Sequence, residues 1–420
     1  MKEFLKDYLK CREVFEIPTR LLEALLIDEE RNELLSKLDM LYTDKSVDMF
    51  RDFFQEEQAN RKELKQDYTP DEISQLIAKL AKKSQSVADI CAGTGSLTVA
   101  FLGEHPECQY VRCEEFSAQP IPFLLTNLAL RNVSGAVIHG DSLTRETFVE
   151  YKLEKGERFS SIIKTQTSKI DKFDTVISNP PYSLNWNPVD DERFKDYGLA
   201  PKSKADYAFV LHAFSLLNKQ GELLEILPHG VLFRGAGEGK IRQKLLENGK
   251  ISTIIGLPDK LFLNTSIPTA VLLLKKERET KEILFIDGSK EFEKGKRQNT
   301  LKIKRILETY QSRKSVERFA NVSNFETIKD NDFNLNIPRY VDTYVPEELP
   351  PIDETLEEWL SVRKEIDEVE TELLNMFNEL VSSGSKKEAE LDKSKILLTQ
   401  IVHKKQRKEK AEQLSLFEDV

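Results

Sequence analysis

The sequence predicts an α/β fold with a doubly wound, Rossmann-like parallel sheet, because strand and helix patterns alternate from residue 68 to about residue 280. A strand pattern over residues 87–91 runs into a glycine-rich turn and then into an apolar helix pattern. Two further strand patterns end in acidic residues, at Glu114-Glu115 and at Gly140-Asp141. A fourth, residues 173–178, runs directly into Asn-Pro-Pro-Tyr.

The chain upstream of the sheet, residues 1–66, is predicted to form a small helical domain. Leucines recur there at helical spacing, at positions 21, 22, 25 and 26. Phe50, Phe53 and Phe54 follow, and this aromatic stripe is most simply the buried face of a helix.

Tyr68-Thr69-Pro70 is predicted to start the next helix. Thr69 suits the N-cap, Pro70 suits the first helical position, and Glu72 completes a capping box. Capping alone explains this turn without a functional role.

Asp89 and the turn Ala92-Gly93-Thr94-Gly95 follow the pattern Asp-x-x-Ala-Gly-x-Gly. A strand, a glycine-rich turn and a helix together form a backbone-lined pocket of the kind that holds nucleotides. The third glycine expected for a pyrophosphate is missing, and Asp89 suits a cationic end of a ligand. Gly95 lets a ligand approach the backbone closely. An acid about 20 residues further on can bind both hydroxyls of a ribose, and both Glu114 and Glu115 meet that condition.

The most informative feature is Asn179-Pro180-Pro181-Tyr182, directly after a buried strand pattern. Two consecutive prolines have no amide N–H and a fixed φ, so they form a rigid turn at the strand end. The Asn oxygen and a backbone carbonyl can accept both hydrogens of a primary amine on a planar ring, and the Tyr ring can stack on that ring. This arrangement turns the nitrogen lone pair towards an electrophile. The alternative is an ordinary turn, which Asn-Pro pairs often start.

Later strand patterns over residues 223–227, 251–256 and 269–274 complete the sheet. Only 12 residues separate the last two, too few for a helical crossover, so a hairpin with one antiparallel strand is expected. The long connection over residues 183–204 carries Trp186, Phe194 and Tyr197. These rings either border a ligand or anchor the loop to the fold.

A proline-rich linker, residues 346–354, is predicted to separate a domain of residues 67–345 from a helical arm of residues 355–403. Apolar residues in the arm recur at spacings of three and four, which predicts a coiled-coil seam of about three heptads. The seam consists of Trp359, Val362, Ile366, Val369, Leu373, Met376 and Leu380. The arm is either a docking surface for a partner or a helical hairpin that packs on itself. Residues 404–420 form a basic tail.

Composition indicates a soluble globular protein, with 32% charged and 39% apolar residues among 420. The first residues contain no signal-peptide pattern, and no apolar run is long enough to span a membrane. The four cysteines are scattered without Cys-x-x-Cys, which favours a reducing cytoplasm without disulfides or a metal site.

At this point the chain resembles the N6-adenine DNA methylases that use S-adenosylmethionine, and in particular the modification (M) subunit of type I restriction–modification systems. The resemblance covers roughly residues 45–345. Besides the motifs above, it includes residues 227–235, 257–262 and 333–340, the last being Phe-Asn-Leu-Asn-Ile-Pro-Arg-Tyr.

The resemblance implies an adenine-specific DNA methyltransferase with a Rossmann-like methyltransferase sheet. It places S-adenosylmethionine in the loop from Asp89 to Gly95, with Glu115 on the ribose and Asp141 near the cofactor adenine. It also implies that the turn Tyr68-Thr69-Pro70 closes over the methionine end of the cofactor. Residues 179–182 would then bind the target base, with Asn179 also beside the cofactor.

The implied partners are double-stranded DNA, a specificity (S) subunit, a second M subunit and a restriction subunit. A net charge of −10 predicts weak DNA binding by the chain alone, unless positive charge is clustered or a partner supplies it. Residues 413–417, Gln-Leu-Ser-Leu-Phe, resemble the peptide that binds the bacterial sliding clamp.

Two other functions remain open on the sequence. Asn-Pro-Pro-Tyr also serves methyltransferases of other amines, including cytosine, RNA and protein glutamine. A non-catalytic assembly subunit could carry the same fold.

Overall fold

The protein is described by a computed structural model, in which residues 1–57, 69–165, 172–263, 266–344, 350–380, 387–400 and 402 are described. The chain divides into two compact units, Met1–Tyr344 and Val345–Val420.

Eleven strands of the first unit form one sheet within the described residues. They are β1 (Ser86–Asp89), β2 (Tyr110–Glu115), β3 (Ser134–Asp141), β4 (Glu146–Glu154), β5 (Ser161–Thr165), β6 (Phe173–Ser178), β7 (Leu217–Pro228), β8 (Ile251–Gly256), β9 (Thr269–Lys275), β10 (Ile283–Asp287) and β13 (Ala320–Ser323). Their order across the sheet is β13-β10-β8-β9-β7-β6-β1-β2-β3-β4-β5. Two short strands, β11 (Phe292–Glu293) and β12 (Thr300–Leu301), pair separately.

The centre of the sheet is parallel, as predicted: β3, β2, β1, β6 and β7 all run in the same direction. On one side of β1 lie β2 and β3, and on its other side lie the later strands β6 and β7. The order in which the chain adds strands therefore switches sides between β1 and β6, where Asp89 is paired with Ile177. Ligands of doubly wound sheets bind at such a switch point, outside the carboxyl ends of the strands. The glycine-rich turn follows β1 and Asn179 follows β6, so both lie at that edge.

The predicted hairpin is confirmed, because β9 lies between β7 and β8 and is antiparallel to both. The antiparallel extension by β4 and β5, and the additional strands β10 and β13 on the other side, were not predicted.

Helices cover both faces of the sheet. In the first unit their bounds are Lys2–Tyr8, Ile17–Leu25, Asp28–Leu41, Arg51–Glu57, Asp71–Leu80, Ser96–Glu104, Ile121–Leu130, Glu192–Lys195, Asp206–Ser215, Ala236–Glu247, Lys304–Ser312 and Phe325–Asp330, with 3₁₀ turns at Val14–Glu16, His229–Leu232 and Ile337–Arg339. No helix in the described part of the chain is long and apolar enough to cross a membrane.

The N-terminal helices pack on the helix Ile121–Leu130. The rings of Phe50, Phe53 and Phe54 are buried and lie 5.2, 5.7 and 5.5 Å from the ring of Phe123. The interpretation of this stripe as a core face is confirmed. These helices share a hydrophobic core with the sheet, and the division at residues 66 and 67 stays a prediction.

The capping prediction at Thr69 is wrong. The helix begins at Asp71 with Pro70 in the N-cap position, and no side chain caps it. The Thr69 hydroxyl instead accepts a hydrogen bond from the Asn179 side chain, 110 residues away. A tertiary contact has replaced the local one.

The second unit contains one long helix, Ile352–Glu379, and a further helical stretch over residues 387–400. The long helix starts inside the predicted linker, three residues before the predicted arm. None of its residues is buried, and the seven seam residues are between 42% and 64% exposed. The seam is therefore not covered by any residue that the structure describes.

Candidate functional site

A cavity of about 410 Å³ lies at the carboxyl edge of β1, β2, β3 and β6. This volume suits a small organic ligand. Nine of the predicted site residues line it: Thr69, Ala92, Gly93, Glu115, Asp141, Asn179, Pro180, Pro181 and Tyr182. The tertiary structure thus brings together residues that are separated by more than 110 positions in the chain.

Four predicted residues, Pro70, Asp89, Thr94 and Gly95, do not line the cavity. Tyr68 lies outside the described residues. Asp89 is completely buried behind the turn, where its carboxylate accepts hydrogen bonds from Thr98 Oγ1 at 2.9 Å and from the Cys91 amide at 3.4 Å. Because Asp89 is buried and does not line the cavity, it is not placed to contact the cationic end of a ligand there, contrary to the prediction.

Glu115 is the strand-end acid that faces the cavity. Its carboxylate accepts hydrogen bonds from the backbone N–H of Gly93 at 2.9 Å and of Ser117 at 2.8 Å. Burial raises the pKa of Glu115. Gly93 has a φ of +55°, a left-handed conformation that glycine adopts without strain, and this turns its N–H towards Glu115.

Glu114, the alternative acid, lies on the opposite face of the strand. Its carboxylate accepts hydrogen bonds from Arg112 Nε at 2.9 Å and from Ser142 Oγ at 2.7 Å, and it contacts His212 Nε2 at 2.9 Å. Burial opposes its ionisation, but His212, Arg112 and Ser142 together hold the pKa of Glu114 well below its usual value. Glu114 is therefore committed to a buried network.

Gly95 has a packing role rather than a ligand-contacting one. Its φ is +102°, and a Cβ at this position would lie 2.9 Å from Cδ1 of Leu124 on the helix Ile121–Leu130. A larger residue would both strain the backbone and push on that helix.

The glycine-rich turn is held by Asp48, a residue that the sequence did not single out. The Asp48 carboxylate is buried and accepts hydrogen bonds from Thr94 Oγ1 at 2.5 Å, Ser96 Oγ at 2.7 Å and Asn127 Nδ2 at 2.7 Å. A lone aspartate in a loop has no sequence pattern that would reveal this role. The N-terminal region therefore stabilises the turn directly.

Asn179 lies in a chain of hydrogen bonds across the cavity. Its Nδ2 donates to Thr69 Oγ1 at 3.0 Å, and its Oδ1 accepts from the Tyr182 hydroxyl at 2.7 Å. The Tyr182 ring stands nearly perpendicular to that of Phe262, with centroids 6.0 Å apart. Thr69 and Tyr182 thus hold the two ends of the Asn179 amide.

The loop over residues 183–204 contributes one wall of the cavity. Trp186 lines the cavity and is fixed by a hydrogen bond from its Nε1 to the Pro201 carbonyl at 3.0 Å. Phe194 packs on Trp186 at 5.6 Å, and Tyr197 packs on Phe214 at 6.0 Å. Phe194 and Tyr197 thus anchor the loop, and of these three rings Trp186 is the one that lines the cavity.

Phe116 and the segment from Ser142 to Thr144 also line the cavity, although the sequence patterns did not predict them. Phe116 is 51% exposed and meets Phe148 edge-on at 6.1 Å. Its position directly after Glu115, at the end of a strand, is the pattern that could have found it.

The buried Asp89 should make folding stability depend on pH. Burial raises the pKa of Asp89 to about 7, above the usual value of about 4. The stability associated with its protonated form is fully present below about pH 4 and is lost as the pH rises through about 7.

Asp89→Asn keeps the shape of the side chain without a charge. We expect the unfolding free energy of the wild type to fall between about pH 4 and about pH 7 relative to that of the variant, by about 1.4 kcal/mol for each unit of the pKa difference. Urea unfolding at a series of pH values measures the difference. Parallel pH profiles for the two proteins would contradict this role of Asp89.

Residues 44–348 match the sequence model of the N-6 DNA Methylase family. The chain is 33% identical over 379 residues to the type I restriction enzyme MpnII methylase subunit of Mycoplasma pneumoniae, covering 83% of this chain and 67% of that protein. It is 32% identical over 318 residues to the MjaVIII methylase subunit of Methanocaldococcus jannaschii, covering 69% and 52% respectively.

Among solved structures, the type I restriction–modification methyltransferase subunit from Streptococcus thermophilus is 39% identical with a TM-score of 0.58, covering 66% of this chain and 59% of that one. The chain thus spans between about half and two thirds of the length of these relatives.

Proposed function

The chain belongs to the N-6 DNA methylase family, among the methylase subunits of type I restriction enzymes, and from this we propose that it transfers a methyl group from S-adenosylmethionine to the exocyclic amine of adenine in DNA. The observation that carries the proposal is Asn179, whose amide is held by Thr69 with Oδ1 directed to Tyr182 inside the cavity.

The residues of the cavity fit S-adenosylmethionine, which supplies an electrophilic methyl group when bound. The Glu115 carboxylate can accept hydrogen bonds from both ribose hydroxyls. Oδ1 of Asp141 accepts hydrogen bonds from the backbone N–H of Leu143 at 2.8 Å and of Thr144 at 3.3 Å. This fixes the carboxylate and leaves Oδ2 available to an adenine amine. The exposed Phe116 ring can cover the face of that adenine.

The target base would bind at Asn179 and Tyr182. A base amine would donate to Asn179 Oδ1 and to the Pro180 carbonyl, and the Tyr182 ring would stack on the base. The Tyr182 hydroxyl donates to Asn179 Oδ1 here, and the base amine would use the second lone pair of that oxygen or take the place of the hydroxyl. In this orientation the amide presents its acceptor, Oδ1, to an amine donor, while Nδ2 is bonded to Thr69. The target must also leave the duplex, because its amine is stacked and paired there.

Transfer of tritiated methyl groups tests this proposal against the alternatives. We expect label in duplex DNA, recovered as N6-methyladenine after digestion, when the chain is assayed with a specificity subunit. Label in cytosine, tRNA or a protein would show a different substrate. No transfer to any of these substrates, with cofactor bound, would indicate a non-catalytic assembly subunit.

A specificity subunit is the partner that the arm suits best. The seam from Trp359 to Leu380 presents a row of apolar side chains that no described residue covers, and such a row is typical of a helix that packs on another chain. In the type I arrangement, two M subunits flank one specificity subunit, and a restriction subunit can join them.

The sliding clamp remains a further proposed partner. Residues 413–417 lie outside the described part of the chain, so the proposal rests on the sequence Gln-Leu-Ser-Leu-Phe alone. A peptide of this length should bind with an affinity of roughly micromolar, because ordering it offsets much of the contact free energy.

Surface plasmon resonance of the full chain against the clamp measures this interaction. Leu416→Ala with Phe417→Ala should remove binding without changing methylation of naked DNA, and Glu418→Ala serves as the control. If the wild-type chain does not bind at concentrations of about tens of micromolar, the motif has no such function.

A further inference from the structure

Residues 290–305, which we name the basic hairpin, carry a charge opposite to that of the whole chain. The segment holds seven Lys or Arg residues and two Glu residues, a formal charge of +5 in a chain of net charge −10. It includes the two-stranded pair of β11 and β12. Such a local reversal of sign concentrates positive potential on one part of the surface.

The basic hairpin emerges at the same edge of the sheet as the cavity. β10 is parallel to β8, β8 and β7 are both antiparallel to β9, and β7 is parallel to β6. The carboxyl ends of β10 and β6 therefore lie at one edge. The Gly288 N–H, just after β10, donates to the Gly256 carbonyl at the end of β8 at 2.9 Å.

Asn299 fastens the hairpin to the segment that supports the proposed base site. Its backbone N–H donates to the Lys260 carbonyl at 2.8 Å, and its Nδ2 donates to the Asp259 carbonyl at 3.0 Å. Two residues further along is Phe262, whose ring contacts Tyr182. The hairpin is thus connected through a few residues to the aromatic ring of the site.

Internal ion pairs occupy the two acids of the hairpin at its base. Glu291 pairs with Arg305 at 2.9 Å, and Glu293 pairs with Lys302 at 3.4 Å. Lys294, Lys296 and Arg297 at the tip are exposed, and no carboxylate of a described residue forms an ion pair with them. Their charges are available to a partner.

We propose that the basic hairpin binds the phosphate backbone of duplex DNA beside the target base. Four strand spacings separate β10 from β6, which is about 19 Å at roughly 4.8 Å each. With a rise of about 3.4 Å per nucleotide along a strand, the hairpin reaches phosphates about five to six base pairs from the base at Asn179. The inference rests on the proposed function, since it takes DNA to be the substrate. The hairpin would also supply the clustered positive charge that an acidic chain needs to bind DNA.

Fluorescence anisotropy of the full chain with a labelled duplex tests the proposal. The variant carries Lys294→Ala, Lys296→Ala and Arg297→Ala. A control with the same loss of charge carries Lys83→Ala, Lys155→Ala and Lys219→Ala, three exposed lysines at the opposite edge of the sheet. Between about 50 and 200 mM salt, the plot of log affinity against log salt should become shallower by roughly two to three in the variant, about 0.9 for each lost phosphate contact. The control should keep the wild-type slope, and calorimetry should give unchanged S-adenosylmethionine affinity for both.

An unchanged slope in the hairpin variant, or an equal loss in the control, overturns the inference while leaving methylation of DNA by the wild type untouched. A wild-type chain that does not bind duplex even at the lowest salt also overturns it. A variant that loses binding to tRNA or to anionic vesicles, but not to duplex DNA, shows that another polyanion is the partner. The proposed function fails separately, if the wild type with a specificity subunit transfers no methyl group to DNA.

Discussion

Asn179→Ala should abolish methyl transfer while S-adenosylmethionine still binds. In the proposed mechanism the amide accepts a hydrogen of the base amine and aligns its lone pair, and positioning of this kind should account for most of the rate when the nucleophile is weakly basic. Loss of one preorganised hydrogen-bonding group in an active site typically costs about 10²–10³-fold in kcat. We expect at least that loss, because alanine also removes the partner of Thr69 and Tyr182.

Two measurements separate this role from a loss of folding. Calorimetry should give a cofactor affinity close to that of the wild type, and the thermal midpoint should change little, because the cavity edge is partly open to solvent. Asn248→Ala removes an exposed amide far from the cavity and is the matched control. Near-wild-type methylation by Asn179→Ala would show that the mechanism is wrong.

Deletion of residues 355–420 should remove sequence-specific DNA methylation and leave cofactor binding intact. The cavity and all its described lining lie in the first compact unit, Met1–Tyr344. The deleted segment carries the uncovered seam, which is the proposed contact with the specificity subunit. Filter binding should therefore show cofactor affinity unchanged, and methylation with the specificity subunit should fall by about 100-fold or more, as expected when an interface centre is lost.

Point variants distinguish a lost interface from a damaged arm. Ile366→Glu with Leu373→Glu places charges on the seam, where both side chains are exposed. The control variant, Thr371→Glu with Asn378→Glu, adds the same charges. Each of its positions lies five residues after one of the two seam positions, and therefore on the opposite side of the helix. Only the seam pair should reduce association with the specificity subunit, measured by analytical ultracentrifugation. Efficient methylation of one defined sequence by the purified chain alone would contradict this division of roles.

Local sequence patterns were sufficient to predict the class of fold and the position of the site. Strand patterns that end in Glu114-Glu115, Asp141 and Asn179 correspond to β2, β3 and β6. Because the carboxyl ends of parallel strands meet at one edge, these residues had to come together once the sheet was parallel. The antiparallel β9 also followed from the sequence, since chain length alone excludes a helical crossover.

Only the tertiary structure determined which face of the sheet a side chain occupies and which residues, distant in the sequence, it contacts. Glu114 and Glu115 are adjacent in a strand, so they point to opposite faces, and the sequence could not show which face holds the cavity. The same applies to Thr69, whose local capping pattern gives way to a contact with Asn179. Asp48 contacts Thr94 and Ser96 across more than 45 residues.

The basic hairpin illustrates the same limit. Its charges are visible in the sequence, but its position at the sheet edge that holds the cavity depends on the direction in which four successive strand pairs run. Local backbone hydrogen bonding and the spacing of apolar residues depend on nearby sequence, so they specify the helices and strands and where each one ends. Which side chains meet across the sheet edge is set by strand order and packing, and only the folded chain determines these.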